Sequence, residues 1–227
     1  MREEPGMIIY GNSISPFVKK VLVYCAERGI AVDNKVIGFD NPDPGFQEAS
    51  PFRKIPAMRE DDGFTLADSS AIVHYLEAQN PEGGLIPADA RARAKTIWFD
   101  EAGDTVIAAA GGKIFFNRVV CPLFLGRPGD LAMADAAERD ELPPLLDWLE
   151  TQITDSGYLV GDRFSLADIA IACPFVNFQH CDIRPDPATH PRLSAWLETM
   201  FARPSFAMIA GERAFIDKMR ARQSQDA

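Results

Sequence analysis

The chain has 227 residues, 47% of them hydrophobic and 25% charged, a globular composition with enough apolar material for a sizeable core, which excludes disordered and collagen-like classes. Its formal net charge of −10 would repel a phosphate backbone unless a local basic stripe overrode the field. None stands out: Arg213, Lys218, Arg220 and Arg222 are diluted by Glu212 and Asp217, so no nucleic-acid partner is expected.

The opening Met1-Arg2-Glu3-Glu4-Pro5-Gly6 carries both signs of charge and no apolar core follows it, which argues against a signal peptide. No uninterrupted 18-residue apolar run is long enough to span a bilayer. A soluble, cytoplasmic protein with no membrane partner is expected. The four cysteines, Cys25, Cys121, Cys173 and Cys181, form neither a C-x-x-C pair nor a zinc-ligand spacing. Cys173 and Cys181 would lie about 12 Å apart along a helix, beyond disulfide reach. All four read as reduced, packing thiols, and no metal is expected.

Along the chain, residues 7–10 read as a strand. Helical spacing over 16–28 (Phe17, Val18, Val21, Leu22, Cys25) stops at Gly29, and 34–39 can form a second strand. Pro42, Pro44 and Gly45 break the chain before a short helical piece reaching Ala49. The runs 56–58 and 64–66 flank Glu60-Asp61-Asp62-Gly63, a hairpin signal. Asp68 or Ser69 then opens a helix that ends before Pro81. Beyond the Pro81-Glu82-Gly83-Gly84 linker only helical patterns appear, at 91–119, 132–153, 165–181 and 191–202. The expected domains are therefore 1–80, α/β, and 89–227, an all-helical bundle. Ser165-Leu166-Ala167-Asp168 resembles a capping box, structural rather than catalytic. Gly111-Gly112 offers a bend in the 91–119 helix. Trp98, Phe99, Trp148 and Trp196 are assigned to the core, and His74, His180 and His190 to no role.

Three short motifs could carry chemistry. Ser15 is an N-cap followed by Pro16 at the first helical position. A capping serine uses its oxygen as acceptor and can still donate its O–H, beside a helix end that favours negative charge. Lys54-Ile55-Pro56 enters a strand at a proline, and Asp68-Ser69 caps a helix.

Taken in this order and spacing, S-P-F, K-I-P and D-S, followed by a linker and an all-helical half, resemble the cytosolic glutathione transferase family along almost the whole chain. Ala26-Glu27-Arg28-Gly29-Ile30 and the Ser165-x-x-Asp168 box belong to the match. The resemblance implies a thioredoxin-like N-terminal domain and a helical C-terminal domain, with reduced glutathione as co-substrate along the first. In bacterial-like, serine-type members a serine at the position of Ser15 donates to the glutathione sulfur. A free thiol of pKa about 8.5 is only a few per cent ionised at neutral pH, and each unit of depression takes about 1.4 kcal/mol. One charge-assisted hydrogen bond of about 1.5–3 kcal/mol is the right size.

The same resemblance makes Phe17 part of the S-P-F glutathione site. Ile55 would offer its backbone to the cysteinyl unit, with Pro56 cis, and Lys54 would approach the glycyl carboxylate. Asp68 would take the γ-glutamyl ammonium and Ser69 the γ-glutamyl carboxylate. Lys20 stands where arginine is frequent, and Ser13 is a rival to Ser15 within Asn12-Ser13-Ile14-Ser15. Serine in place of the cysteine of redox-active members argues against a mixed disulfide with the protein. Phe115 and Phe116 are the candidates for a hydrophobic substrate site. The implied activity is a detoxifying transfer of glutathione to a small hydrophobic electrophile by a homodimer. Glutathione-dependent disulfide reduction and a non-catalytic binding or dimerisation role remain alternatives.

Overall fold

The computed structural model describes residues 6–38 and 43–225, which fall into two compact units, 1–86 and 87–227. The expected strand end at Phe39, the break at Pro42 and the segment 1–5 lie outside the described residues.

In the first unit β1 (Met7–Tyr10) leads into α1 (Pro16–Glu27), β2 (Asp33–Lys35) and α2 (Pro44–Ala49); β3 (Ala57–Glu60), β4 (Thr65–Ala67) and α3 (Ser69–Gln79) complete it. The sheet order is β2-β1-β3-β4, parallel between β1 and β2 and antiparallel elsewhere. Apolar Met7-Ile8-Ile9-Tyr10 is therefore central and buried on both faces. The hairpin is where the acidic turn predicts it, with Gly63 at φ +92° and its N–H donating to Glu60 O at 3.0 Å. Gly29, at φ +65°, closes α1 in the left-handed conformation that glycine adopts without a Cβ penalty. On one side of the sheet Tyr10, Ile37, Phe46, Ala49 and Ala57 form a buried cluster against which Ile55 packs. This is the thioredoxin-like arrangement, a small mixed sheet with helices.

The second unit is helical. Its first stretch, Ala90–Phe124, runs continuously through α4 (Ala90–Ala102), α5 (Ala108–Phe115) and α6 (Cys121–Phe124), joined by π-helical turns at Gly103–Ile107 and Phe116–Val120. Then come α7 (Leu131–Ala136), a π-helical turn at Ala137–Glu141 and α8 (Leu142–Gln152). The helices α9 (Leu166–His180), α10 (Pro191–Phe201) and α11 (Met208–Gln225) complete the unit. Helix α9 is apolar almost all round and buried along its length, hence the centre of the bundle. The 35-residue stretch, although charged residues interrupt it, is by length and mean hydropathy apolar enough to cross a membrane, and half of its apolar window is buried within the unit, as in a core helix.

Four expectations need correction. The distortions of the long helix fall at the π turns rather than at Gly111-Gly112, which sit inside regular α5; a Cβ on Gly111 would come 3.1 Å from the Phe178 ring, so this glycine serves close packing. Trp98 is 47% exposed rather than core, because its neighbour Phe99 takes the inward direction. The 132–153 helix is broken by a π turn. Helix α11 lies beyond the helical patterns of the sequence, because its charged residues leave only a thin apolar stripe.

The box at the start of α9 is structural, as its sequence suggests. Asp168 Oδ2 accepts from Ser165 N at 2.9 Å, and Oδ1 accepts from Leu159 N at 3.0 Å and Trp196 Nε1 at 3.1 Å.

Candidate functional site

The turn between β1 and α1 is built around two side chains. Asn12 Oδ1 accepts from Ile14 N at 3.0 Å and Asn12 O accepts from Ser15 N at 2.9 Å. Asn34 Nδ2 donates to Ile9 O and Gly11 O, each at 3.0 Å, fixing the strand end from the neighbouring strand. The chain turns at Gly11, φ +144°, where a Cβ would lie 2.5 Å from Val18 Cγ2 and 3.1 Å from Ile55 Cβ. Only glycine fits there. Ser15 follows as the N-cap of α1, φ −67° and ψ 127°, with Pro16 in the first turn. Its hydroxyl makes no capping bond, so the expected acceptor role is absent. Ser13 sits half-buried in the same turn, as do Ser15 and Phe17.

The second segment is a loop pinned by a buried serine. Ser50 Oγ donates to Lys54 O at 2.7 Å and accepts from Lys54 N at 2.9 Å, while Arg53 turns at φ +52°. The peptide between Ile55 and Pro56 is cis. Ile55 precedes the first ladder pair of β3, Ala57 with Tyr10, so its backbone lies outside the sheet ladder. The Lys54 side chain is exposed and Pro56 is buried.

Asp68 is the N-cap of α3, at φ +85° and ψ 132°, a conformation that costs a non-glycine residue about 1–3 kcal/mol and tends to occur at functional sites. Its Oδ1 accepts from Ser70 N at 2.9 Å and Ala71 N at 3.1 Å. Asp68 is exposed, whereas Ser69 is only 2% exposed.

These segments meet within the N-terminal unit. Gly11 lets Ile55 approach the β1–α1 turn. Lys20, 1% exposed, reaches from α1 to donate from Nζ to Ser70 Oγ at 3.0 Å, tying α1 to the start of α3. The Lys20–Ser70 pair carries no local signature in the sequence. The signal available was that Lys20 falls on the apolar face of α1. The result is a hydroxyl at a helix N-terminus, a backbone segment free of the ladder, and an exposed carboxylate at a second helix N-terminus, groups able to bind both anionic and cationic parts of a small ligand.

Phe115 and Phe116 lie in the second unit. Phe115 is 5% exposed with its ring 6.2 Å from that of His180, and Phe116 is 39% exposed. The four cysteines are free. Burial pushes the Cys25 thiol up to about 12 and that of Cys181 up to about 11, the opposite of an activated thiol. Among the described residues no group of three or more His, Cys, Asp or Glu side chains could hold a metal ion.

Family models of the glutathione S-transferase N-terminal domain and C-terminal domain match residues 9–84 and 119–204. The chain is 32% identical over 219 residues to glutathione S-transferase 4 of Zea mays, covering 91% of this chain and 92% of that protein. It is also 30% identical over 183 residues to elongation factor 1-gamma of Danio rerio, covering 80% of this chain but 39% of that protein. Among solved structures, a glutathione S-transferase from Methylobacillus flagellatus KT with glutathione bound superposes with a TM-score of 0.75 at 26% identity, covering 89% and 98% of the two chains.

Proposed function

The chain belongs to the glutathione S-transferase family, and we propose that it binds reduced glutathione along its N-terminal unit, holds the sulfur as thiolate with the Ser15 hydroxyl, and delivers it to a small hydrophobic electrophile. The sulfur lone pair forms the new carbon–sulfur bond while the thiol proton passes to solvent. In a substitution, the leaving group departs with its bonding pair. The observation that supports this reading is the close approach of Ile55 to Gly11 in the turn that carries Ser15, together with the Lys20–Ser70 hydrogen bond that ties α1 to the start of α3, where Asp68 is the cap. The Ile55 backbone then pairs with the cysteinyl unit beside cis Pro56, Lys54 faces the glycyl carboxylate, Asp68 the γ-glutamyl ammonium and Ser69 the γ-glutamyl carboxylate, with Phe17 beside them. Phe116, the more exposed of the two phenylalanines, contacts the electrophile, and Phe115 packs behind it. A cytoplasmic homodimer acting in detoxification completes the reading.

Calorimetry with glutathione, paired with the ultraviolet absorbance of the bound thiolate across pH, tests it on wild type and Ser15→Ala. A thiolate that forms well below pH 8 and retreats in the variant supports the transferase. Absent binding, or binding with an unshifted thiol, sinks it.

A second reading is non-catalytic: the fold kept as a binding or dimerisation module. The similarity to an elongation factor 1-gamma favours it. Failure to bind glutathione together with an intact fold would select it.

A further inference from the structure

We propose that the helical unit binds a small free oxoanion of the phosphate kind in a recess where α11 docks on the end of α9. The recess has a volume of about 110 Å³ and is lined by Gln179, His180, Arg184, Ile209 and Arg213. At about 30 Å³ per molecule that is room for three or four waters, and it falls well short of the roughly 300 Å³ at which pockets for larger organic ligands begin. The occupant is therefore small and compact.

The walls are rich in donors and poor in acceptors. The carbonyls at the end of α9 are already bonded: Gln179 O accepts from Arg213 Nη1 at 2.8 Å and from Asp182 N at 3.0 Å, and His180 O accepts from Arg220 Nη2 at 2.7 Å. Phe178 O accepts from Cys181 N at 2.9 Å and Ile183 N at 3.0 Å. No aspartate or glutamate lines the recess. Arg213 is shared with Asp182 at 2.9 Å and Asp217 at 3.3 Å. Arg184 makes no ion pair among the described residues; Asp182 feels its charge but bonds Arg213 instead.

His180 supplies the independent sign of a ligand. It is 1% exposed, its Nε2 faces Glu212 Oε2 at 3.2 Å, and its Nδ1 is buried with no hydrogen-bond partner. A buried ring nitrogen left without a partner is costly, and an oxygen placed in the recess that His180 lines would supply one. With Glu212 accepting from Nε2, a proton on Nδ1 makes the ring an imidazolium, whose charge Glu212 balances on one side and the anion on the other. A ring nitrogen and two guanidinium groups around one compact volume offer donors to several oxygens at once, the arrangement that favours an oxoanion. A neutral guest of the same size forgoes the charge of Arg184.

The test is an NMR titration of the full chain with inorganic phosphate, sodium chloride holding the ionic strength constant, read on the backbone amides of 179–184 and 208–213. It is repeated with glutathione present, with glycerol 3-phosphate in place of phosphate, and on Arg184→Gln and Arg184→Lys. Arg184 is exposed, so both variants should keep the fold, checked by circular dichroism. The expected result is saturable shifts in those two segments, unchanged by glutathione. Affinity should fall about tenfold in Arg184→Gln, the size of one lost charge-assisted hydrogen bond, and less in Arg184→Lys, which keeps the charge. Glycerol 3-phosphate, whose body the recess cannot hold, should bind more weakly than the free ion. Shifts that do not saturate, equal affinity in Arg184→Gln, displacement by glutathione, or an ester that binds as tightly as phosphate overturns the proposal. The readout lies on α9 and α11, so this outcome does not depend on the transferase assignment.

Discussion

Tyr24 and Glu77, one on α1 and one on α3, are joined by a 2.6 Å hydrogen bond from the phenol to Glu77 Oε2. The same carboxylate accepts from Leu85 N at 3.1 Å and Ile86 N at 2.9 Å, so one buried acid fixes two helices and the chain that follows them. Burial and the carboxylate together raise the Tyr24 pKa far above its usual value, and the phenol stays a donor at any physiological pH. Tyr24→Phe removes one donor from a buried carboxylate and is expected to cost about 1–3 kcal/mol. Urea unfolding measures it, and a loss below about 0.5 kcal/mol would deny the bond its role.

Ser15→Ala is expected to lower kcat for glutathione transfer about ten- to a hundredfold with little change in glutathione affinity, the equivalent of about 1.5–3 kcal/mol in the transition state. Ser13→Ala should leave kcat near wild type. The reverse pattern in steady-state kinetics would move the role to Ser13.

Asp68 caps α3 and, in the proposed site, also carries a needed charge. Asn caps as well as Asp and tolerates positive φ. Asp68→Asn should therefore keep the melting temperature while weakening glutathione, whereas Asp68→Ala should lose about 1 kcal/mol of stability as well. If calorimetry finds glutathione binding unchanged in Asp68→Asn, the charge has no part in recognition.

Two glycines of the long helical stretch should answer oppositely to alanine. A Cβ on Gly103 would lie 2.6 Å from the backbone oxygen of Ala170 on α9, a contact no rotamer change relieves. Gly103→Ala is expected to destabilise by about 1–3 kcal/mol. Gly112 has open space around its missing Cβ, and Gly112→Ala should stabilise by about 0.5–1 kcal/mol. Thermal melts of the two variants moving in the same direction would contradict this packing.

Helix α11 is docked partly by charge. Arg213 bonds Asp182 at 2.9 Å and Gln179 O at 2.8 Å, and the guanidinium holds the Asp182 carboxyl below its usual value. A depressed carboxylate contributes stability that is present above the unfolded pKa of about 3.9 and is lost as pH falls through the lower folded value. Protection factors in α11, which remove the intrinsic pH dependence of amide exchange, should fall in that acid window for wild type, and Asp182→Asn should show lower protection at neutral pH with a flatter acid limb. Protection factors in wild-type α11 that do not change with pH would rule this out.

The strand, helix and hairpin order of the first unit could be read from the sequence because its signals are local. Pro16 after Ser15, Gly29 after α1, the acidic turn before Gly63 and Asp68 before α3 each act within a few residues. The same holds for Ser165 and Asp168. The motif order S-P-F, K-I-P, D-S carried the family for the same reason: each motif is a short backbone device at an element boundary.

What tertiary structure alone decided involves residues far apart in the chain. Lys20 meets Ser70 fifty positions on and Tyr24 meets Glu77 fifty-three positions on, and nothing local announces either pair. The π turns, the packing role of Gly111 and the exposure of Trp98 depend on what α9 presents to the long helix, which periodicity cannot register. Local propensity and capping energies act along the chain and can be read from it, whereas excluded volume and buried polar pairing are settled only when distant surfaces are brought into contact.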